Sequence, residues 1–539
     1  MKLKYFLLIL IVGLALFLRF YKLGEIPAGI HPDEESHGYN AFSLLHTGKD
    51  RYGEPHPILF RSFGSYQPPV YTYLAMVPVG LFGNTIASVR SVSAVVGIIL
   101  VIITCLFVLE LFETKEKHWL ALIAALIVAI SPWSIYFSRL VAEGNLGVTF
   151  FALSLLLFIV STKKAWVFPF ATLALGISTH AYYSERIIAM LFLPIFIYLF
   201  WDHLWNKNKK WLLIGLSVFV TVMLPHLLIL TSGALTRRLA QVGYSGDKPF
   251  ITEFLKRYLI YFDPRNIFFD LGSDLGRMPP NLGVFYTIFI IPFFVGLVNL
   301  KKFIKREFVY LFVALVTILP IAAALTGDEY YPLRSLSLIW VIGLIISVGS
   351  FVILSSLNKN LRLIVFGIVL FHALFSFYIS YFVLFKYETA KDYGNVYMAL
   401  ANRLEEYKGY IIVIDSGREY GAGLRAAYLT KYDPNDLQEQ LKSQLTTPYY
   451  SGDVEKWEDY SINNMEFRHI IWKDDVYKNQ IIVGDDSATS DHEVIEHKLR
   501  FLFEVTDING GSRLRAFLTD PKAKCGRNNL APMCKDVIY

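Results

Sequence analysis

The residues best equipped for chemistry in this chain are His31-Pro32-Asp33-Glu34-Glu35, just beyond the first apolar run. Three carboxylates beside a histidine can supply a general base or ligands for a hard divalent cation. The same stretch can equally be an acidic turn, with Asp33 accepting the first amide hydrogen bonds of a helix over ESHGYNAFSLL. A further acid, Glu143 in SRLVAEGNLG, falls between two apolar runs and suits either a second carboxylate or a cap. Three arginines stand at comparable places: Arg186 in YYSERI, Arg277 in GRMPP and Arg334 in TGDEYYPLRSL. A guanidinium fork matches a phosphate. Each is structural instead if it snorkels to a membrane surface or pairs with Glu185, Asp274 or Asp328.

The elements that must hold these residues are membrane helices. Of 539 residues, 54% are hydrophobic and 18% charged, with a mean hydropathy of +0.44. Soluble domains carry about 25% charged residues, so a purely soluble enzyme is excluded. Apolar runs long enough to cross about 30 Å of hydrocarbon fall near 5–22, 85–109, 119–137, 146–162, 165–182, 187–201, 212–231, 283–300, 308–325, 335–356 and 362–385. No small-x-small cleavage site follows the first run, which therefore reads as a membrane helix and not a signal peptide. With the N-terminus in the cytoplasm, short basic turns such as Lys163-Lys164 and Lys301-Lys302 lie on the cytoplasmic side, and the C-terminal region lies outside. The formal net charge of +6 serves that orientation first, and no nucleic acid is expected as a partner.

The chain divides into a membrane module over 1–386 and an extracytoplasmic domain over 387–539. The membrane module has long outer segments at about 23–84 and 232–281, both rich in Gly, Pro and aromatic residues, and the first suits short interfacial helices. In the last 150 or so residues the runs YIIVID, HIIW, QIIVG, FLFEV and LRAFL alternate with polar stretches, the mark of a small α/β or α+β domain. SGREYGAG after YIIVID lacks the glycine spacing of a nucleotide loop. Cys525 and Cys534 can form one disulfide in an oxidising compartment, while Cys105 lies in an apolar run.

The PDE motif after the first helix, Gln67-Pro68-Pro69-Val70-Tyr71, SPWSIYFSRLVAEGNLG, HAYYSERI, FDPRNIFFD with LGRMPPNLGVFY, and AALTGDEYYPLRSL occur in an order that resembles the GT-C membrane glycosyltransferases. Among them the chain is most similar to the bacterial glycosyltransferase 39 group, relatives of protein O-mannosyltransferases and lipid A aminoarabinose transferases. The resemblance implies a GT-C fold of about eleven transmembrane helices. It further implies transfer of a hexose or pentose from a polyprenyl-phosphate sugar to a glycan, lipid or protein acceptor at the outer face of the cell membrane, with inversion. It assigns Asp33 as catalytic base with Glu34 beside it, and Arg277, Arg334 and Arg186 to the donor phosphate; Glu143 stays the candidate second carboxylate on its sequence position alone. Tyr66, Gln67, Tyr71 and Tyr183 fall on its substrate pocket. Relatives often have Lys where this chain has Gln67, so phosphate binding here leans on the arginines. No cofactor is required, although a divalent cation bridging Asp33 and the phosphate is compatible with this chemistry.

Two other readings fit a polytopic chain: a transporter or flippase for lipid-linked saccharides, and a noncatalytic surface receptor. The first expects midplane ionisable sites and internal repeats, neither of which the sequence displays. The second expects the outer domain to act without Asp33.

Overall fold

A computed structural model of the protein describes residues 2–246, 248–270, 276–417, 419–526, 532–534 and 537. The first helix, α1 (Lys2–Phe20), leads into the loop expected on the outer side and so called the first outer loop, built from α2 (Pro32–Thr47), a hairpin of β1 (Phe60–Ser62) and β2 (Ser65–Gln67), and α3 (Pro69–Phe82). There follow α4 (Ile86–Leu111), α5 (Lys117–Ile130), α6 (Pro132–Ser138), α7 (Glu143–Ser161), α8 (Phe168–Ala181), α9 (Tyr183–Leu199), α10 (Asn208–Leu228) and α11 (Ala234–Val242). Next come α12 (Phe250–Ile260), α13 (Pro264–Phe268), α14 (Ile290–Asn299), α15 (Arg306–Ile318), α16 (Ile321–Ala324), α17 (Leu336–Ser356) and α18 (Lys359–Phe377), the last continuing to Glu388.

Among the described residues, seven helices are long and apolar enough to cross a membrane, or eight if α5 and α6, bent by 56°, form one span. The protein is a multi-pass membrane protein. The bend falls at Ser131-Pro132, where proline lacks the N–H that would continue α5 and instead opens α6. The three other expected spans are helical but short, at Ala165–Ala181, α9 and α14.

Buried arginines tie the ends of neighbouring helices together. The carbonyls that end a helix have no partner within it and attract cations. Arg139 donates to Leu18 O and Arg19 O at the end of α1, at 2.9 and 3.1 Å. Arg19 in turn donates to Ala129 O of α5 (3.2 Å) and Ser134 Oγ of α6 (2.7 Å). Arg90 on α4 donates to the loop carbonyls of Leu23, Pro27 and Gly29.

The C-terminal domain, called the outer domain after its expected side, carries a six-stranded mixed sheet made of β3 (Ile411–Asp415), β4 (Tyr460–Ile462), β5 (Met465–Arg468), β6 (Gln480–Gly484), β7 (Arg500–Thr506) and β8 (Arg513–Leu518), in the order β4-β5-β3-β6-β8-β7. Strand β3 pairs parallel to β5 and β6, and the other pairings are antiparallel. Four of the five apolar runs are strands, but HIIW is not. The side chains of Asp415 and Asp475 capture the amides of Ile470 and Ile471, and the chain leaves the sheet into a helical turn at Trp472–Asp475. Helices α19 (Asn395–Leu404), α20 (Ala422–Thr430) and α21 (Pro434–Ser443) pack on the sheet, and Cys525 is disulfide-bonded to Cys534. Ile412, Ile414, Tyr428 and Leu437 of this domain belong to one buried cluster with Tyr39 of α2 and Tyr71 of α3, so the outer domain and the first outer loop share a core.

Candidate active site

The three consecutive acids of α2 face three different partners. His31 caps the helix, its Nδ1 accepting from Asp33 N (3.2 Å) while Glu34 Oε2 accepts from His31 N (3.2 Å), a closed capping box. That arrangement relieves Asp33 of the capping role. Glu34 is buried and pairs with Arg90, whose Nε and Nη2 lie 2.9 and 2.7 Å from its oxygens. Glu35 is buried against Arg425 of α20. Asp33 alone of the three lines a cavity, of about 460 Å3. Its side chain is 58% exposed.

Gln67, at the end of β2, orients that carboxylate. Its Nε2 donates to Asp33 Oδ1 (3.1 Å), and its Oε1 accepts from Ser36 Oγ (2.7 Å), to which Arg51 Nη1 also donates (2.7 Å). A lysine here would carry a charge; the glutamine instead joins a line running from a buried arginine to the acid.

Glu143, at the start of α7, lines the same cavity and accepts from or donates to His37 Nε2 at 2.9 Å, while His37 Nδ1 meets Thr72 Oγ1 at 2.7 Å. Cations face these acids from several elements. Arg186 of α9 stacks on Tyr183 at 4.5 Å and donates from Nε to Thr179 O, and its Nη2 is buried with no hydrogen-bond partner. Arg334 donates to Thr326 Oγ1 (2.7 Å) and pairs with Asp328. Arg238 of α11 also lines the cavity; burial opposes its charge, yet Asp33 with Tyr183, Tyr182 and Glu143 hold its pKa above the ordinary value. The outer domain contributes Tyr420 and Lys456. Burial, with Asp33 nearby, pushes the Tyr420 phenol up to about 12, so it stays neutral.

Of the residues expected at the site, Asp33, Glu143, Arg186, Arg334, Tyr66, Gln67 and Tyr183 line this cavity. Glu34, Arg277 and Tyr71 do not. Glu34 is committed to Arg90, and Tyr71 is fully buried, donating to Val89 O (3.0 Å). Arg277 donates to Tyr330 O and stacks over Tyr331 at 5.7 Å. Asp274, considered as its partner, lies outside the described residues. His37, Arg238, Tyr420 and Lys456 were not anticipated. The Arg237-Arg238 pair on the amphipathic α11 was a usable signal; nothing local marks Tyr420 or Lys456, which arrive by tertiary packing.

As for a metal, Asp33, Glu143 and His37 are the ligand types at the cavity, but they do not converge as a group of three. Among the described residues, the group of His, Cys, Asp or Glu whose ligand atoms all lie within 4.8 Å of one another is His492, Glu493 and Glu496, on the outer domain.

Two solved structures of ArnT from Cupriavidus metallidurans superpose on nearly the whole chain. The apo form gives a TM-score of 0.52 and the form bound to undecaprenyl phosphate 0.53, each at 13% identity over 95% of this chain and 98% of that one. The fold is that of the GT-C glycosyltransferases. The GT-C likeness extends to the archaeal oligosaccharyltransferase AglB from Archaeoglobus fulgidus, solved with an inhibitory peptide and a dolichol-phosphate, at a TM-score of 0.50 and 12% identity over 97% of this chain and 75% of that one. A family model described as dolichyl-phosphate-mannose-protein mannosyltransferase matches residues 66–229, a stretch that holds Gln67, Glu143, Tyr183 and Arg186 but not Asp33 or Arg334. None of the curated proteins matches the chain. In this chain the cavity is thus assembled from the matched segment, the acid before it, and arginines and outer-domain residues after it.

Proposed function

We propose that the protein transfers a sugar from a polyprenyl-phosphate donor to an acceptor at the extracytoplasmic face of the cell membrane, with Asp33 as general base. The observation that carries this reading is one cavity in which an accessible carboxylate meets Arg186, Arg238 and Arg334. The structures solved with undecaprenyl phosphate and dolichol-phosphate share the fold and support a donor of that class. The disulfide supports an oxidising compartment for the C-terminal domain, taken as 387–539, which with the odd number of eleven expected spans goes with a cytoplasmic N-terminus.

The chemistry asked of the protein is modest, because a sugar on a phosphate already has a good leaving group. Arginine forks hold the phosphate and stabilise the charge that develops on it as the glycosidic bond breaks. The unpartnered Nη2 of Arg186 is a donor in waiting for such an oxygen. Asp33 has one oxygen anchored by Gln67, leaving the other to take the proton of the acceptor hydroxyl. The acceptor oxygen forms the new bond to the anomeric carbon, the bond to the phosphate oxygen breaks, and the lipid phosphate leaves with the electron pair. A single displacement of this kind inverts the anomeric centre. Glu143 is the second carboxylate, held by His37 at the same cavity.

The test is transfer from a panel of polyprenyl-phosphate sugars by purified protein in detergent. Asp33→Asn is expected to lose about 100- to 10,000-fold in rate while retaining affinity for undecaprenyl phosphate. Transfer retained in Asp33→Asn would move the base to Glu143. Wild-type protein that transfers no sugar, yet carries lipid-linked saccharide across liposomes, would establish the transporter reading instead.

A further inference from the structure

The cavity's arginines come from the 1–386 module, and the C-terminal domain completes another part of its wall. The wall there is aromatic. The β1–β2 hairpin turns at Phe63-Gly64, both with positive φ (43° and 78°), a conformation that glycine accepts and phenylalanine does not favour. It is held by the outer domain: Gly64 N donates to Glu455 O (2.8 Å), Tyr66 OH donates to Tyr449 O (2.6 Å), and Ser451 N donates to Tyr66 OH (2.7 Å). The turn presents the Phe63 ring to the cavity and against Tyr420, with centroids 4.8 Å apart. Tyr420 meets Trp457 at 6.0 Å, so three rings run in sequence from the cavity to the outside. Trp457 is 46% exposed, and no buried cluster accounts for it.

Lys456 adds charge to this track. Its Nζ lies 5.3 Å from the Tyr420 ring and 5.4 Å from the Trp457 ring, it lines the cavity, and no carboxylate pairs with it among the described residues. With the ammonium lying over both rings, this surface matches a saccharide bearing an anionic substituent: the anion meets the ammonium, and sugar C–H groups pack on the aromatic surface that the ammonium leaves uncovered. A plain peptide would use neither feature in register.

We propose that Trp457, Tyr420 and Lys456 form the acceptor subsite and that the acceptor is a saccharide carrying a carboxylate or phosphate. This rests on the transferase reading above and specifies its second substrate. The full-length protein in detergent is titrated with matched neutral, carboxylated and phosphorylated oligosaccharides and with a neutral peptide, and in parallel with undecaprenyl phosphate. Wild type is expected to bind the acidic sugars about tenfold more tightly than neutral ones. Trp457→Ala, an exposed position whose change leaves the core intact, should weaken acidic-sugar binding by about tenfold and leave undecaprenyl phosphate affinity within about twofold. Lys456→Gln should erase the preference for acidic over neutral sugars. Equal binding by Trp457→Ala and wild type, failure of every sugar to bind, or equal binding of neutral sugars or peptide overturns the proposal. Loss of undecaprenyl phosphate binding by the wild type would instead sink the transferase reading itself.

Discussion

Arg425→Ala is the sharpest perturbation of the joint between the outer domain and the helix that carries Asp33. Arg425 and Glu35 are 1% and 0% exposed, and Arg425 also reaches Glu419 at 3.4 Å and stacks over Tyr397 at 5.1 Å. Truncation leaves the buried Glu35 carboxylate without the arginine that pairs with it, and its Oε2 already lacks a hydrogen-bond partner. Breaking such a buried pair costs about 3–5 kcal/mol, whereas replacing both members with apolar residues of similar volume is often neutral. The double variant Glu35→Leu/Arg425→Met should therefore recover at least about 2 kcal/mol of what Arg425→Ala loses. Urea unfolding of the outer domain in detergent, followed by pulse proteolysis, measures both, and the transfer rate should fall with Arg425→Ala because Asp33 is two residues from Glu35. A double variant as unstable as Arg425→Ala would refute the account of Glu35 as a buried charge that needs its partner.

Three other outcomes follow from the geometry. Gln67→Leu removes the amide that fixes Asp33 Oδ1, a loss of about 1–2 kcal/mol, so kcat should fall about tenfold with donor KM unchanged; an unchanged kcat would mean that Asp33 is oriented by something else. Arg334→Ala should weaken undecaprenyl phosphate binding more than Arg277→Ala, since only Arg334 lines the cavity; titration of each variant with that lipid decides it. Burial pushes the Asp50 carboxyl up to about 6, against hydrogen bonds from Tyr449 OH and the amides of Glu54 and Tyr52. The folded state thus favours the protonated acid, a stabilisation that is complete below the unfolded value near 3.8 and lost as pH rises to about 6. Thermal unfolding scanned from pH 4 to 7 should show that decline in wild type and a flatter profile in Asp50→Asn.

The membrane helices were legible because hydropathy over about twenty residues is a local property that lipid enforces. Asp33, which lines the cavity, was marked less by its spacing, which a helix cap explains equally well, than by the order of the motifs around it. What the sequence did not disclose is how neighbouring acids divide their tasks. Asp33, Glu34 and Glu35 look interchangeable until Arg90 and Arg425 are seen to claim two of them from 56 and 390 residues away. Arg277 read like Arg334 for the same reason, and Tyr71 read like Tyr66, since a spacing does not report which side chains the fold turns into its core and which into a cavity. The outer-domain contribution was invisible because Tyr420 and Lys456 reach the cavity only through packing against Phe63 and the hairpin turn. HIIW resembles in composition the runs that form strands but does not form one, because apolar content alone does not report side chains that capture backbone amides.

Helix α2 turns by about 100° with each residue, and it is pinned at Glu34 to α4 and at Glu35 to the outer domain. Two adjacent anchors on different bodies fix its rotation as well as its position. The aim of Asp33 is therefore set less by its own contacts than by the phase in which its neighbours are locked, and the order of the three acids carries meaning that their composition does not. Exchanging Asp33 and Glu34 would leave charge and length the same and put the wrong reach at both places. A single residue inserted before Ser36 would swing every side chain by more than a quarter turn and put all three acids out of register at once. In redesigning this protein, the segment is to be moved only as a block, together with the arginines that hold its phase.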